Sequence, residues 1–104
     1  MPSANSDKRV YFARSGRQVK IGIATNPRSR VQAMQTARPG IKLLGDISGG
    51  RRLEEQLHRR FSEFRITGEW FRLTEEIEQI IKELLNSAPA LEAASEPNGL
   101  SSFF

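Results

Sequence analysis

Four polar side chains of this sequence stand in an order that simple core packing does not require. Tyr11 lies in a first apolar run and Lys20 in a second, Arg30 follows, and a Glu54-x-x-Leu57-His58 cluster comes later. In phosphodiester hydrolysis a carboxylate can hold a hard cation, an arginine can offset charge on phosphoryl oxygens, and a tyrosine can handle the attacking water. The set therefore indicates metal-assisted phosphodiester cutting rather than redox or acyl-transfer chemistry.

The composition excludes several other kinds of site. The chain has 104 residues, enough for one domain with a modest core. It has no cysteine, so it has no disulfide framework and no thiolate nucleophile, and the lone His58 argues against a zinc site. Its polar start and the lack of an apolar run of about 18 residues predict no signal peptide and no membrane association. We therefore expect a cytoplasmic protein.

The charge distribution indicates a polyanionic partner. Net charge is +4, but residues 1–68 hold 14 Lys and Arg against 5 Asp and Glu, whereas residues 69–104 hold 2 against 7. Most of the basic residues are arginines, whose planar fork suits phosphate contacts. A basic front and an acidic rear favour nucleic acid docking on one side. The alternative is a domain whose arginines only contact water.

Two neighbouring strands are predicted to carry the first site residues. Residues 9–13 and 18–24 read as strands joined by the turn Arg14–Arg17. Alternation places Tyr11, Lys20 and Gly22 on one face, and on the other face it places the apolar side chains Val10, Phe12, Val19, Ile21 and Ile23. Because Gly22 presents no side chain, another group can approach the backbone there.

Three helices and a further strand complete the predicted domain. Asn26-Pro27 begins a helix that runs to about Thr36 with Val31 and Met34 inward. A strand at 41–47 precedes a helix over about 51–64, and a helix capped by Thr74 follows the aromatic pair Trp70 and Phe71. The inward stripes of these two helices are Leu53, Leu57, Phe61 and Phe64, then Ile77, Ile80, Ile81, Leu84 and Leu85.

These elements predict an α/β (α+β) domain at residues 9–86. Its sheet is small, mainly antiparallel and three-stranded, and about three helices flank it. Residues 1–8 are predicted to be a flexible N-terminus. The small, Ala/Ser/Pro-rich residues 87–104 are predicted to be a disordered tail.

The order of these motifs resembles the GIY-YIG nuclease superfamily, in particular a short bacterial and phage branch with KIG as its second triplet. Val10-Tyr11 stands where the family has the end of GIY, and Lys20-Ile21-Gly22 stands for YIG. Residues Ala24–Val31 look like its arginine helix and Leu53–His58 like its glutamate helix. Gly68–Phe71 reads GEWF, a signature of this branch. The resemblance covers about residues 9–81; each motif alone is weak, but the order and spacing of all five make the resemblance strong.

The resemblance implies a fold of the GIY-YIG type and a set of site residues. Arg30 matches the catalytic arginine, and Glu54 matches the carboxylate that binds Mg²⁺ or Mn²⁺. The remaining catalytic candidates are Tyr11, Lys20 and His58. Basic candidates for nucleic-acid contacts are Arg14, Arg17, Arg28 and Arg38. Gly22, Glu69 and Trp70 are expected to support the site.

Several of these residues have plainer interpretations. Tyr11 is a candidate to orient or deprotonate the water if nearby cations acidify it, and the motif context favours this over the alternative of a half-buried packing residue. Lys20 could lower the pKa of Tyr11, contact phosphate or face solvent. His58 could be a base, a supporting partner, a phosphate contact or a satisfied histidine. Glu69 stands near a supporting asparagine of some relatives, and a structural role beside Trp70 is the alternative.

For the charged residues of the two site helices, the alternatives concern which neighbour takes the site role. Glu55 competes with Glu54 as the metal ligand, but it could instead pair with Arg51 or Arg59 on its own helix face. Arg28, two residues from Arg30, points elsewhere and would contact backbone phosphate or solvent. The resemblance favours Glu54, and so does its place beside the apolar stripe of the helix, so the site is expected to contain a single clear carboxylate.

Three functions follow from this sequence. The first is a divalent-metal-dependent DNA endonuclease, with target choice supplied by a separate protein or by DNA structure. The second is a nucleic-acid-binding module that has lost the reaction, which the lysine in place of the YIG tyrosine favours. The third is an interaction domain that recruits a partner through its acidic last helix and tail. The oligomeric state is open.

Overall fold

The computed structural model describes the backbone of residues 8–92 and the side chains of residues 8–87. Five strands and three α-helices form the domain. In chain order they are β1 (Arg9–Ser15), β2 (Gln18–Ala24), α1 (Pro27–Met34), β3 (Lys42–Ser48), α2 (Gly50–Arg60), a 3₁₀ turn (Ser62–Phe64), β4 (Arg65–Thr67), β5 (Trp70–Arg72) and α3 (Glu75–Glu92).

The strands form one antiparallel sheet in the order β3-β1-β2-β5-β4. The predicted α+β class is confirmed, but the predicted number of three strands is wrong. The two additional strands are β4 and β5, of three residues each. Three residues are too few to show an alternating pattern, and all three residues of β4 are exposed. These strands extend the sheet beyond β2, and Glu69 lies immediately before β5.

The ends of the elements follow local sequence signals. Gly16 has a φ of +63° in the two-residue turn between β1 and β2, a conformation that glycine adopts readily. The Asn26 side chain accepts a hydrogen bond from the backbone N–H of Ser29 at 3.1 Å, and Pro27 opens α1. The Thr74 hydroxyl likewise accepts from the N–H of Ile77 at 3.1 Å at the start of α3. The predicted caps of both helices are confirmed.

The sheet buries side chains on both of its faces. One face packs against α2 and α3 in a cluster of Val10, Phe12, Val19, Ile21, Ile47, Leu57, Phe61, Phe71, Ile77 and Ile81. The opposite face packs against α1 in a smaller cluster of Tyr11, Ala13, Ala24, Val31 and Ile41, with Met34, Leu43 and Trp70 partly buried beside them. The predicted alternation of β1 and β2 is confirmed. Tyr11 therefore lies on the α1 side of the sheet.

The predicted termini fall mostly outside the described residues. The flexible N-terminus was predicted for residues 1–8, of which the structure describes only Lys8. The disordered tail was predicted from residue 87, but α3 continues to Glu92 and so enters that segment; residues 93–104 lie outside the described part. Within residues 8–92, no helix has the length and apolar character needed to cross a bilayer.

Candidate active site

An open pocket of about 330 Å³ lies on the α1 side of the sheet. Strands β1 and β2, helices α1 and α2 and the residue before β5 each contribute to its wall. The lining residues are Tyr11, Lys20, Ile23, Arg30, Met34, Arg51, Glu54 and Glu69. The fold thus brings five predicted site residues into one pocket, namely Tyr11, Lys20, Arg30, Glu54 and Glu69.

Gly22 allows two polar groups to meet over strand β2. It pairs directly with Tyr11 across the β1–β2 ladder. A Cβ atom at Gly22 would lie 2.8 Å from Glu69 Oε1 and 2.9 Å from the Tyr11 hydroxyl oxygen. A side chain at this position would therefore force Glu69 or Tyr11 to move, and glycine lets both stay where they are. The close approach predicted at Gly22 is therefore made by two side chains of the pocket itself.

The Tyr11 hydroxyl keeps its proton at neutral pH. Burial raises the pKa of Tyr11 to about 12, and the charges of Glu69 and Glu54 add to this effect. The charge of Arg30 and its hydrogen bond act in the opposite direction but do not prevail. Acidification of Tyr11 by nearby cations, which deprotonation of water would need, is thus not found. Tyr11 is suited to donate or accept a hydrogen bond rather than to act as a base.

Absorbance titration can test this assignment because the chain contains a single tyrosine. We expect tyrosinate absorbance of the folded protein to rise with a midpoint near pH 12, the raised pKa of Tyr11. The chain unfolded in denaturant should titrate near pH 10, the ordinary value. Because only the unfolded chain ionises between these values, stability should fall as pH rises from about 10 to about 12. A folded-state midpoint at or below 10 would contradict the assignment.

Glu54 is a buried carboxyl group in an otherwise open pocket. It is 7% exposed and is the one buried charged side chain of the described residues. Burial raises its pKa, and a hydrogen bond with Glu69 and the charge of Glu69 raise it further, against His58 and Arg51. The competing candidate Glu55 is exposed on α2 and does not line the pocket. The position of Glu54 agrees with its predicted place beside the apolar stripe of α2.

Glu69 supplies a second carboxylate to the pocket, so the expectation of a single clear carboxylate is wrong. Lys20 Nζ donates a hydrogen bond to Glu69 Oε1 at 2.8 Å. Partial burial alone would raise the pKa of Glu69, but the bond and charge of Lys20, together with Glu54 and His58, lower it. The pKa values of the two carboxyl groups are therefore shifted in opposite directions, that of Glu69 downward and that of Glu54 upward.

Lys20 is engaged with the site's own residues. Besides its ion pair with Glu69, its ammonium nitrogen lies 5.7 Å from the centroid of the Trp70 ring. The net shift of the Tyr11 pKa is upward, and burial and Glu69 are its largest causes, so a lowering of this pKa by Lys20 does not prevail. Its side chain is 17% exposed, so it does not simply face solvent.

Two arginines bring positive charge to the pocket. Arg30 on α1 is exposed, lines the pocket and hydrogen-bonds Tyr11. Arg51, in the first turn of α2, also lines it and was not predicted. Arg51 precedes Glu54 by three residues, a spacing that places both on one helix face. The sequence therefore contained the signal, but Arg51 was read only as a surface partner of Glu55.

His58 does not reach the pocket, so its predicted catalytic role finds no support in the geometry. Its Nε2 lies 2.8 Å from the carbonyl oxygen of Ile21 and donates a hydrogen bond to it. Nδ1 faces Arg65 Nη2 at 3.5 Å, and the ring lies 5.0 Å from that of Phe71. The half-buried His58 ring thus uses its Nε2 to satisfy a backbone carbonyl. It ties α2 to β2.

The predicted nucleic-acid-binding arginines lie outside the pocket. The Arg38 guanidinium stacks 3.9 Å from the centroid of the half-buried Trp70 ring. Arg14, Arg17 and Arg28 are exposed, and Arg14 Nε donates to the carbonyl of Gly16 at 3.0 Å. Trp70 therefore supports the wall next to Lys20, whereas the three exposed arginines remain available to a ligand larger than the pocket.

The T5orf172 domain is the family whose model matches this chain, over residues 8–86. The match corrects the assignment to the GIY-YIG superfamily, since it is to a different family model. Five short motifs, each weak alone, did not identify the family. No curated protein and no solved structure matches the chain. The T5orf172 domain is associated with nuclease and DNA-binding functions. Because the match covers most of its length, the chain belongs to the T5orf172 domain family.

Proposed function

We propose that the protein is a divalent-metal-dependent DNA endonuclease that hydrolyses phosphodiester bonds. The observation that carries the proposal is that the buried Glu54 carboxyl group and the exposed Arg30 guanidinium line the same pocket. Burial of a carboxyl group is costly unless a partner compensates it. Such a buried acid could be compensated by a bound cation, and the exposed Arg30 guanidinium of the same pocket could receive a phosphate.

The donor set fits a magnesium-type ion. Among the described residues, no group of three or more His, Cys, Asp or Glu side chains is placed to hold a metal. Mg²⁺ is commonly held by one or two carboxylates, with phosphate oxygens and water completing its shell. The Glu54 carboxylate fits this requirement, and the Mn²⁺ ion prefers similar ligands. When bound, such an ion supplies Lewis-acid stabilisation of charge on the phosphate.

The protein's own residues would then orient the reacting phosphate. The Arg30 fork can donate two hydrogen bonds to non-bridging oxygens and offset their growing charge in the transition state. Arg51, on the α2 side of the same pocket, can bind the phosphate from another direction. The protonated Tyr11 hydroxyl can orient the attacking water but cannot take its proton, given the raised pKa of Tyr11.

A second candidate function is a DNA-binding module without cleavage. It is favoured by the ion pair between Lys20 and Glu69, which places a positive charge inside the pocket. The exposed arginines outside the pocket would still bind phosphates. Such a module would bind DNA without metal, and its affinity would fall steeply with salt.

A cleavage assay separates the two functions. Supercoiled plasmid and branched oligonucleotides are incubated with the purified chain and Mg²⁺ or Mn²⁺, with EDTA as the matched control. We expect metal-dependent nicking that EDTA abolishes. Binding to both substrates without any cutting would contradict the endonuclease and support the binding module. Comparing linear, branched and supercoiled DNA also tests whether DNA structure rather than sequence selects the target.

A further inference from the structure

We propose that Glu54 and Glu69 together form one divalent-cation site, with Glu69 as a second carboxylate ligand. The inference rests on the proposed function, since it concerns the same pocket, and deepens it by naming the ligands. Glu69 was predicted only as a supporting residue. The geometry assigns it a direct role because its carboxyl group lines the same pocket as Glu54 and hydrogen-bonds it.

The two carboxyl groups lie in contact although like charges repel and Glu54 is shielded from water. Glu54 is 7% exposed and forms no ion pair with any of the described residues. Its side chain hydrogen-bonds that of Glu69. Two carboxyl groups in hydrogen-bond contact repel one another unless a proton or a cation lies between them. A buried acid that lines the pocket with a second acid and has no ion pair of its own is an arrangement that a shared cation would neutralise.

The fold fixes the position of Glu69 independently of the cation. Its backbone carbonyl accepts a hydrogen bond from the N–H of Ile21 at 3.0 Å, which ties the residue to strand β2. The missing side chain at Gly22 leaves the space in which Glu69 Oε1 lies, 2.8 Å from where a Cβ would be. The backbone bond to Ile21 therefore positions Glu69 at the pocket, and Gly22 leaves room for its carboxyl group.

Lys20 compensates the negative charge of Glu69 when no metal ion is bound. Its ammonium group contacts Oε1 at 2.8 Å. A carboxylate has two oxygens with several lone-pair directions, so the same group can accept from Lys20 and also bind an ion. Because Lys20 already pairs with Glu69, the exposed Arg30 can bind the phosphate instead of neutralising the two acids.

Manganese binding to the full chain without DNA tests the proposal. Isothermal titration should show one Mn²⁺ site in the wild type, and we expect Glu54→Gln and Glu69→Gln each to weaken it by at least about tenfold. Glu55→Gln, which changes an exposed acid one residue from Glu54, should bind like the wild type. Circular dichroism establishes that each variant is folded. Wild-type affinity in Glu69→Gln, or no wild-type binding at millimolar Mn²⁺, would overturn the proposal.

Water-proton relaxation distinguishes a ligand from a residue that only supports one. Glu69→Ala removes the side-chain oxygens, so the Mn²⁺ bound by this variant should gain water relative to the wild type. An unchanged water number would show that Glu69 is not a ligand. Plasmid cleavage measured in parallel separates this inference from the proposed function. Cleavage by the wild type with Mn²⁺ binding unchanged in Glu69→Gln rejects the inference alone, whereas two-carboxylate binding without cleavage rejects the endonuclease alone.

Discussion

Replacing Glu54 with glutamine is expected to lower metal-dependent plasmid nicking by about a thousandfold or more. Lewis-acid stabilisation of the transition state contributes several kcal/mol, and each ~1.4 kcal/mol corresponds to a factor of ten in rate. The amide of glutamine retains the size of the side chain but carries no charge for a cation. The loss should appear in the rate constant of single-turnover nicking at saturating DNA.

The fold should survive this substitution. Burial and Glu69 raise the pKa of Glu54, so the folded domain favours the neutral form of this side chain. Glutamine is neutral and nearly isosteric, and it can still hydrogen-bond Glu69. We therefore expect a midpoint of urea unfolding near pH 7 that is no lower than that of the wild type.

Glu55→Gln is the matched control for the nicking assay because it removes an exposed acid from the same helix turn. It should nick DNA at the wild-type rate. If Glu54→Gln nicked DNA as fast as Glu55→Gln, the carboxylate of Glu54 would not take part in the reaction. If the Glu54 variant also failed to bind DNA, the residue would act in binding rather than in the chemical step.

The faces of β1 and β2 could be predicted because their side chains alternate without interruption. This pattern assigned Tyr11 to the face opposite Val10 and Phe12, and the structure buries both sets accordingly. The apolar stripes of α2 and α3 were found by the same kind of local periodicity. Strands β4 and β5 could not be found in this way because each has three residues and is defined by its partner.

The electrostatics of the pocket depend on contacts between distant residues. Lys20 and Glu69 are 49 positions apart, and no sequence spacing indicates their ion pair. For Tyr11, the sequence showed cations nearby in the predicted site but could not show its burial, which decides the direction of the pKa shift. His58 shares a helix face with Glu54, yet its bond to the Ile21 carbonyl directs it to the core.

Arg30→Ala is expected to reduce the single-turnover nicking rate by about a hundredfold to a thousandfold. Losing one preorganised donor to transition-state charge typically has this effect in enzyme active sites. Arg30 lines the pocket and contacts Tyr11, so its loss would also leave Tyr11 without its cationic neighbour. Arg30→Lys keeps the charge but not the planar fork, and should recover only part of the rate.

Arg28→Ala is the matched control for Arg30→Ala because it removes an arginine of the same helix that lies outside the pocket. Both arginines are exposed on α1, but they are two residues apart, so they point in different directions and Arg28 does not line the pocket. Removing Arg28 should weaken DNA binding and reduce the dependence of affinity on salt by about one phosphate contact, with little change in rate at saturating DNA. Equal rate losses in the two variants would show that Arg30 contributes only general phosphate binding. A loss confined to Arg30 would show that transition-state stabilisation comes from the pocket, where the carboxyl groups also lie.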